Sequence, residues 1–479
     1  MKSIEVLRTW LCDCEENDML KESLRRRQLL EMGLRALAGG GVATSGMVNS
    51  ALAAGFRSPN DRPGIALIGA GGRGLALAQQ AGQFGNITAI CDADLQHAAE
   101  AQKRFGEKIP ICQDYREVLE RKDVDVVINA TPDHWHTIIN VAALRAGKDV
   151  YTEKPLTLTF EEGVILRRVV QETGGIVQVG TQQRSEAHFR LACQLVRSGW
   201  IGTLKQVVVW LPFWNTKGGP FPPQPVPPHL NWDLYQGQAP ERPYHPMRTH
   251  FNFRWWFEYA GGIITDWGQH HLDIAYWGAD LEQSGPLEVE ARGFFPNRGA
   301  PDCFNNPDRF VAHIQFPGPI EMWFLVARDE KYLQSAKQGD ISPEEDRALF
   351  AGVPAEIAAE SRNGILFIGD SGRIFVNRGG AYGKPVEDFK AKPDVSLKVA
   401  LPVSDDHMGN FFQAVASRQQ PICTVDVAHR VITTSHLANI AMRLGRKIRW
   451  DPAREEILDD KEAASWLRRP QRLPYVLEA

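Results

Sequence analysis

The chain has 479 residues, of which 43% are hydrophobic and 23% charged, with 54 lysines and arginines against 58 aspartates and glutamates. The net charge of −4 provides no global positive field for nucleic acid or an anionic membrane. No run of about 18 apolar residues free of charge occurs, which excludes a protein with several membrane spans. The seven cysteines are scattered and odd in number, which argues against a disulfide framework.

Residues 1–53 have the pattern of an export signal. Arg26 and Arg27 precede a weakly apolar, glycine- and alanine-rich segment that ends in Ala51-Leu52-Ala53, a small-x-small pattern typical of signal peptidase sites. This arrangement resembles a twin-arginine signal and predicts an exported, periplasmic protein. The alternative is an amphipathic helix retained on a cytoplasmic protein, and Arg35 within the apolar segment favours it.

A strand, a glycine-rich turn and a helix are predicted next. Residues 65–68 are an apolar run that leads directly into the G-x-G-x-x-G sequence of residues 69–74. In such a turn Gly69 permits the tight bend, Gly71 lets the backbone approach a pyrophosphate, and Gly74 allows close helix–strand packing. The pyrophosphate would lie at the helix N-terminus, so the segment predicts a dinucleotide site.

Asp92 follows the second predicted strand, residues 87–90, at the spacing expected for an acidic ribose ligand. A carboxylate there accepts hydrogen bonds from the adenosine ribose hydroxyls and repels a 2′-phosphate. No lysine or arginine occurs in residues 93–95, so NAD is favoured over NADP. The alternative is that Asp92 only caps the following helix.

Strands and helices alternate up to residue 180, which predicts a doubly wound parallel sheet. Ligand sites of such sheets lie at the carboxyl ends of the strands. Three further groups of polar residues occupy predicted strand ends, namely residues 131–136, 153–154 and 181–182. Their coincidence with Asp92 strengthens the prediction of a site along this edge.

These segments together resemble the glucose–fructose oxidoreductase / inositol dehydrogenase (Gfo/Idh/MocA) family. The resemblance is carried by GAGGRG, ATPDHWH, AGKDVYTEKPLTLT and VGTQQRS, and by the later DWGQHHLD, and it extends from about residue 62 to residue 452. It implies an α/β protein with an NAD-binding Rossmann domain at 60–183. A C-terminal α+β domain would follow at 184–479, with an open, largely antiparallel sheet that commonly forms the interface of a homodimer or homotetramer. The expected cofactor-binding residues are Gly69, Gly71, Gly72, Arg73, Gly74, Asp92, Thr131, Pro132, His136, Glu153 and Gln182.

Three residues are candidates for catalysis. Oxidation of a secondary alcohol needs a hydride acceptor, a base and a positive group that stabilises the developing alkoxide. Lys154 could supply the charge or, with a pKa lowered by burial, act as the base. On a helix, Asp266, four residues before His270, and Asp273, three residues after it, lie on the same face as His270. Asp266 is therefore expected to hold the imidazole and raise its pKa. The resemblance places Lys154, Asp266 and His270 on the family's catalytic positions and leaves the choice of base open.

Two other groups of residues have competing interpretations. The histidine pairs at 134/136 and 270/271 could be metal ligands, but they belong to different predicted domains, and no metal site is predicted. Residues 212–256 are rich in proline and aromatic residues, including Trp214 and Trp232. Aromatic faces of this kind stack on sugar rings, or they form a dimer-contact arm.

The sequence thus predicts an NAD-dependent oxidoreductase that acts on a secondary hydroxyl of a sugar, sugar derivative or inositol. An exported enzyme would need a tightly bound cofactor that is reoxidised in place. The alternative is redox-neutral glycoside cleavage by oxidation and elimination with a recycled cofactor, although the H-G-x-G-H segment of the N-acetylgalactosaminidase branch is absent. A non-catalytic sugar-binding protein is disfavoured by the intact set of Lys154, Asp266 and His270.

Overall fold

The first described domain is a parallel sheet with helices on both faces. The computed structural model describes residues 62–327, 341–360, 362–392 and 394–477, so the predicted export signal lies outside the described residues. Six strands have the order β3-β2-β1-β4-β5-β6, and all neighbours are parallel, which confirms the predicted doubly wound sheet. The elements are β1 (Gly64–Ile68), α1 (Gly72–Ala81), β2 (Asn86–Cys91), α2 (Leu95–Phe105), β3 (Ile111–Cys112), α3 (Tyr115–Leu119), β4 (Val126–Asn129), α4 (Asp133–Arg145), β5 (Asp149–Thr152), α5 (Phe160–Thr173) and β6 (Val177–Val179).

Strand β1 shows why this sheet is covered on both faces. Ile65 and Leu67 pack into one hydrophobic cluster, while Ala66 and Ile68 pack into another on the opposite face. Side chains alternate along a strand, so a continuous apolar run is stable only where both faces are buried. Each fully buried isoleucine or leucine contributes about 1.5–3 kcal/mol. The strand therefore holds the glycine turn that follows it in a fixed position.

The second domain contains a nine-stranded sheet in the order β13-β12-β11-β7-β10-β9-β8-β14-β15. Strands β7 and β10 run parallel, and the other described neighbours run antiparallel, which confirms the largely antiparallel sheet. The elements are a 3-10 helix (Gln182–Ser185), α6 (Ala187–Arg197), β7 (Leu204–Leu211), α7 (Trp232–Gln236), 3-10 helices at Pro246–Arg248 and His250–Trp255, α8 (Ile263–Ala279), β8 (Glu288–Phe294), β9 (Arg309–Gln315), β10 (Glu321–Val326), α9 (Pro343–Leu349), α10 (Ala355–Ala358), β11 (Gly364–Gly369), β12 (Arg373–Asn377), β13 (Gly380–Tyr382), α11 (Lys384–Lys390), α12 (His407–Ser417), α13 (Val425–Leu444), β14 (Ile448–Asp451), β15 (Glu456–Ile457) and α14 (Lys461–Ser465).

The two faces of this sheet are covered by different segments. Val207 and Val209 of β7 pack in the cluster that includes α8 and α13. Val208 and Trp210 point to the other face and pack with side chains of α9, α10 and neighbouring residues. The indole of Trp210 donates to the carbonyl oxygen of Ile357 at 3.0 Å. The chain itself thus covers part of the face that the resemblance associates with oligomer formation.

Elements from the end of the chain return to the first domain. Phe411 and Phe412 of α12 share a hydrophobic cluster with Leu67 of β1, and Tyr475 belongs to the cluster on the opposite face of the sheet. The predicted boundary after residue 183 follows β6, but the core of the first domain is completed by residues beyond 400. Among the described residues, no helix combines the length and apolar character required to cross a membrane.

Phe411 provides a test of this shared core. Its side chain is fully buried, with its ring 5.8 Å from that of Tyr151 on β5. We expect Phe411→Ala to lower the free energy of unfolding by about 3–5 kcal/mol because a large cavity remains. Urea unfolding measures this, with the exposed Val403→Ala as the matched control. An unchanged midpoint for Phe411→Ala would show that α12 is not part of the first domain's core.

Candidate active site

A cavity of about 690 Å³ opens at the carboxyl ends of the parallel strands and is lined by residues of both domains. It lies where the strand order reverses between β1 and β4, the position at which such sheets bind ligands. We call it the interdomain cavity. Sequence-predicted residues that line it are Gly69, Gly71, Gly72, Arg73, Gly74, Asp92, Thr131, Pro132, Glu153, Lys154, Gln182, Asp266 and His270.

The glycine turn forms an open cradle at the start of α1. Gly69 has a φ of +88°, a left-handed conformation that favours glycine. A Cβ on Gly74 would lie 1.9 Å from the carbonyl oxygen of Gly69, whereas a Cβ on Gly72 would meet no atom within 4 Å. Helix α1 has no side-chain N-cap, so its first N–H groups are available for an anion. These features fit the pyrophosphate of a dinucleotide.

Asp92 is held at the cavity by two backbone groups. Its carboxylate accepts hydrogen bonds from the amides of Ala70 at 2.7 Å and Asp94 at 2.9 Å. Helix α2 is capped instead by Asp94, which accepts from the amide of Gln96. The interpretation of Asp92 as a helix cap is therefore wrong, whereas its role as a ribose ligand stays a prediction.

Of the other predicted cofactor residues, Gln182 and Glu153 line the cavity, whereas His136 does not. Gln182 lines the cavity, and its Oε1 is buried with no hydrogen-bond partner among the described residues, so a bound ligand can satisfy it. Glu153 pairs with Arg73 Nε at 2.7 Å and ties the glycine turn to the end of β5. His136 does not line the cavity, because both ring nitrogens face backbone carbonyls, of Pro155 at 2.7 Å and of Thr131 at 2.8 Å. The prediction that His136 contacts the cofactor is thus wrong: it positions Thr131.

Lys154 and Asp266 form an ion pair between the two domains. Lys154 Nζ lies 2.5 Å from Asp266 Oδ1, and Arg254 Nε lies 3.6 Å from Oδ2. Burial raises the pKa of Asp266, but the charges of Lys154 and Arg254 outweigh burial and leave the pKa below its ordinary value. Asp266 is therefore ionised, and Lys154 is a cation held by it.

His270 lies in a different environment from the one predicted. Its imidazole is 4% exposed, and Nδ1 has no hydrogen-bond partner among the described residues. Burial, and then the positive charges of Lys154 and Arg378, hold its pKa well below the ordinary value. The expectation that Asp266 holds this imidazole and raises its pKa is wrong, because Lys154 and Arg254 engage the carboxylate. Asp273, on the same predicted face, pairs with Arg184 at 2.7 Å.

The proline- and aromatic-rich segment contributes both to the cavity and to a separate core. Trp214, Phe251 and Phe253 line the cavity, which accords with a surface for sugar rings. Trp232 and Trp256 are buried in a hydrophobic cluster of their own. Some residues of the segment therefore line the cavity, and others form a hydrophobic cluster that holds the segment in place.

Residues 227–250, which we call the strap, attach to the loop after β2. The amide of Leu95 donates to the carbonyl of His229, and the amide of Asn231 donates to that of Ala93, both at 2.9 Å. Asp94 Oδ2 lies 3.3 Å from His250 Nε2. Metal-ligating atoms of Asp94, His97 and His250 lie within 4.8 Å of one another. Sequence reasoning did not bring these three residues together, because His250 lies far along the chain from Asp94 and His97.

Sequence reasoning also missed Arg254 and Arg378, and it assigned no role to Asp133 within the group 131–136. All three residues line the cavity. The G-x-G-x-x-G and E-K-P patterns locate residues near strand ends, whereas Arg254 and Arg378 reach the cavity from other parts of the second domain. Asp133 is fully buried at the start of α4, and burial raises the pKa of its carboxyl to about 8. Of these, only Asp133 lay within a segment quoted for the resemblance.

Family models match both domains. Residues 64–181 match the oxidoreductase family, NAD-binding Rossmann fold (Gfo/Idh/MocA), and residues 194–300 and 368–477 match its C-terminal alpha/beta domain. The chain therefore belongs to the Gfo/Idh/MocA oxidoreductase family. Its first domain is the family's NAD-binding Rossmann domain.

Curated relatives match over shorter segments. Levoglucosan dehydrogenase of Pseudarthrobacter phenanthrenivorans is 35% identical over 24% of this chain and 29% of its own length. A glycosyl hydrolase family 109 protein of Solibacter usitatus is 34% identical over 29% and 34%, respectively. The scyllo-inositol 2-dehydrogenase (NAD(+)) of Bacillus subtilis is 27% identical over 43% and 48%. The chain thus spans less than half the length of these relatives.

Solved structures share the whole fold. A levoglucosan dehydrogenase in complex with NADH and levoglucosan has a TM-score of 0.57 at 18% identity, over 81% of this chain and 99% of its own. An aldose-aldose oxidoreductase from Caulobacter crescentus, complexed with glycerol, has a TM-score of 0.56 at 16% identity over the same shares. At these identities the likeness establishes the fold.

The two glycines of the cradle should respond differently to alanine. We expect Gly74→Ala to lower both stability and NADH binding, because the methyl group collides with the Gly69 carbonyl. Gly72→Ala should leave unfolding unchanged within about 0.5 kcal/mol but weaken NADH binding about ten-fold or more, because the methyl group fills the approach to the pyrophosphate. Thermal unfolding without cofactor and an NADH fluorescence titration measure the two effects. Full NADH affinity in Gly72→Ala would contradict this placement.

The raised pKa of Asp133 makes the free energy of unfolding depend on pH. Its pKa is about 8 in the native protein and about 3.9 in an unfolded chain. Between these values unfolding releases the proton, so the carboxyl destabilises the fold increasingly as pH rises toward 8. We expect the gain in unfolding midpoint from Asp133→Asn to grow from about pH 5 to about pH 8 and then level off. The exposed Asp405→Asn is the control, and a gain independent of pH would refute the assignment.

Proposed function

We propose that this protein is an NAD-dependent dehydrogenase that moves a hydride between the nicotinamide and a secondary hydroxyl of a sugar, sugar derivative or inositol. The observation that carries the proposal is one cavity that joins the dinucleotide cradle, the Lys154–Asp266 ion pair and the imidazole of His270. The names of two relatives, a levoglucosan dehydrogenase and an inositol dehydrogenase, agree with this substrate class.

The protonation states of the two candidate bases favour different roles. NAD, when bound, supplies the hydride acceptor. Lys154 is a cation paired with Asp266, so it stabilises the negative charge that develops on the substrate oxygen. His270 is neutral at pH 7 because its pKa is lowered, so its ring can accept the hydroxyl proton. His270 is therefore the base in this proposal, and Lys154 the electrostatic group.

Turnover of a panel of levoglucosan, myo-inositol, scyllo-inositol and D-glucose, followed by NADH absorbance, tests these roles. We expect His270→Gln to lower kcat by about 10²–10⁴-fold, and Lys154→Ala to lower it by about 10²–10³-fold. The exposed Lys398→Ala is the matched control. In the parent, kcat/KM for oxidation should rise with pH through the lowered pKa of His270 and reach a plateau by neutrality.

If His270→Gln and Lys154→Ala still bind NADH as the parent does, their lower kcat reflects the chemical step and not cofactor binding. A parent rate that still rises above neutral pH and a His270→Gln variant with full activity would both contradict the assignment of the base.

Redox-neutral glycoside cleavage is the second candidate, favoured by the similarity to a glycosyl hydrolase family 109 protein. In that reaction, oxidation of a hydroxyl to a ketone acidifies a neighbouring C–H bond, and elimination expels the aglycone and leaves a double bond. Water then adds to the double bond, and the hydride is returned to the ketone. Release of the aglycone from an aryl glycoside without net NADH formation would support it. Net NADH formation from a free sugar would support the dehydrogenase.

We further propose that the protein is exported through the twin-arginine route and assembles as a homodimer or homotetramer. The sequence of residues 26–53 supports export, and the family resemblance supports the assembly. An exported protein has no pool of NAD to draw on, so a resident cofactor is part of this proposal. The strap supports it, because His229 and His250 lie against the loop that follows Asp92. Cell fractionation tests the proposed export, and light scattering tests the proposed assembly.

Mass spectrometry of nucleotide released by denaturing the protein, purified with none added, tests the resident cofactor. We expect near-stoichiometric NAD(H). His250→Gln should raise the dissociation rate of NADH several-fold because it weakens the contact with Asp94. The half-buried His313→Gln, on β9 and outside the cavity lining, should not. An empty site in the parent would indicate an exchangeable cofactor, and NADP would refute the reading of Asp92.

A further inference from the structure

The interdomain cavity carries more positive than negative charge around His270. Arg73 is neutralised by Glu153, and Lys154 and Arg254 share the carboxylate of Asp266. The carboxyl of Asp133 adds no charge at neutral pH, because its pKa is raised to about 8. Without Arg378, three cations near His270 thus face only two ionised carboxylates, those of Glu153 and Asp266.

Arg378 adds a further positive charge, which the charge of Glu186 opposes. It lies on the turn between β12 and β13, and its guanidinium carbon is 4.4 Å from the ring centroid of Trp267. With the Gln183 amide oriented to donate to the carbonyl of His270 at 2.7 Å, its oxygen accepts from Arg378 Nε at 3.2 Å. Arg378 forms no ion pair with a carboxylate of the described residues. Its guanidinium is therefore positioned beside His270 while its two terminal nitrogens remain available.

This arrangement suits an anion better than a neutral hydroxyl. A guanidinium presents parallel N–H donors that match a carboxylate, and charge-assisted hydrogen bonds are about twice as strong as neutral ones. The contact with Trp267 and the hydrogen bond from Nε fix the plane of the group, so less side-chain entropy is lost on binding. The excess charge also attracts an anionic substrate before contact.

We propose that the substrate is a sugar acid, such as a uronic or aldonic acid, and that Arg378 binds its carboxylate. The carboxylate lies on a carbon other than the one that is oxidised, since Lys154 and His270 serve the reacting hydroxyl. Arg378 is thus a specificity-determining residue, and the inference rests on the proposed dehydrogenase function of the same cavity.

Matched pairs of neutral sugar and acid provide the test: D-glucose with D-glucuronate, D-galactose with D-galacturonate, and D-mannose with D-mannuronate. Binding to the NADH-loaded protein is measured by calorimetry, and turnover by NADH absorbance. We expect at least one acid to bind about ten-fold or more tightly than its neutral partner, with a preference that decreases as salt is added. Arg378→Gln should abolish the preference, a loss of about 10–100-fold.

Three controls separate this role from a structural one. Arg378→Lys keeps the charge but loses the planar fork, so it should restore part of the preference. Arg373→Gln, on the exposed start of β12, should behave as the parent. Arg378→Gln should lose affinity for each acid by a larger factor than for its neutral partner.

The possible failures are distinguishable. An acid preference that persists in Arg378→Gln, or the failure of all three acids to bind, would overturn the inference. If the acids bind through Arg378 but no hydride is transferred, Arg378 binds a carboxylate as proposed but the protein is not a dehydrogenase. Hydride transfer from the neutral sugars alone would keep the dehydrogenase and refute the anion site.

Discussion

The rest of the site depends on the Lys154–Asp266 ion pair, because it connects the end of β5 in the first domain to α8 in the second. The adjacent backbone strengthens this connection, since the amide of Leu156 donates to the side chain of Gln269 at 2.7 Å. Removing one partner of such a buried pair costs about 3–5 kcal/mol. Burial keeps His270 a neutral imidazole, and the positive charge of Lys154 in this pair lowers the pKa of the ring further.

The two ends of the cavity have different electrostatic character. Near Asp92 the walls carry carboxylates and imidazoles, which suit ribose hydroxyls. Near His270 they carry an excess of cations, which suits an oxyanion and a negatively charged substrate group. The cradle of glycines lies between these ends, where backbone N–H groups rather than side chains bind the ligand. One elongated cavity therefore separates recognition of the nucleotide from the chemistry.

Local patterns predicted most of the first domain and most of the residues by which it lines the cavity. The glycine turn, the position of Asp92 and the strand ends all depend on neighbours within a few residues, so their spacing was sufficient. The second domain required a resemblance. The predicted pairing of Asp266 with His270 failed because helical periodicity contains no information about Lys154 on another domain. His136 failed for a similar reason, since its partners are backbone carbonyls. Arg254 and Arg378 reach the cavity only through the tertiary fold.

The return of α12 to the first domain has a consequence for the order in which the protein can be made. The sheet that binds the nucleotide is encoded before residue 183, yet its hydrophobic clusters include Phe411 and Tyr475. A nascent chain that ends soon after residue 183 exposes apolar surface and lacks the part of the cavity wall that the second domain supplies. The sheet therefore has its complete hydrophobic core only after residues as far along the chain as Tyr475 have been made and folded.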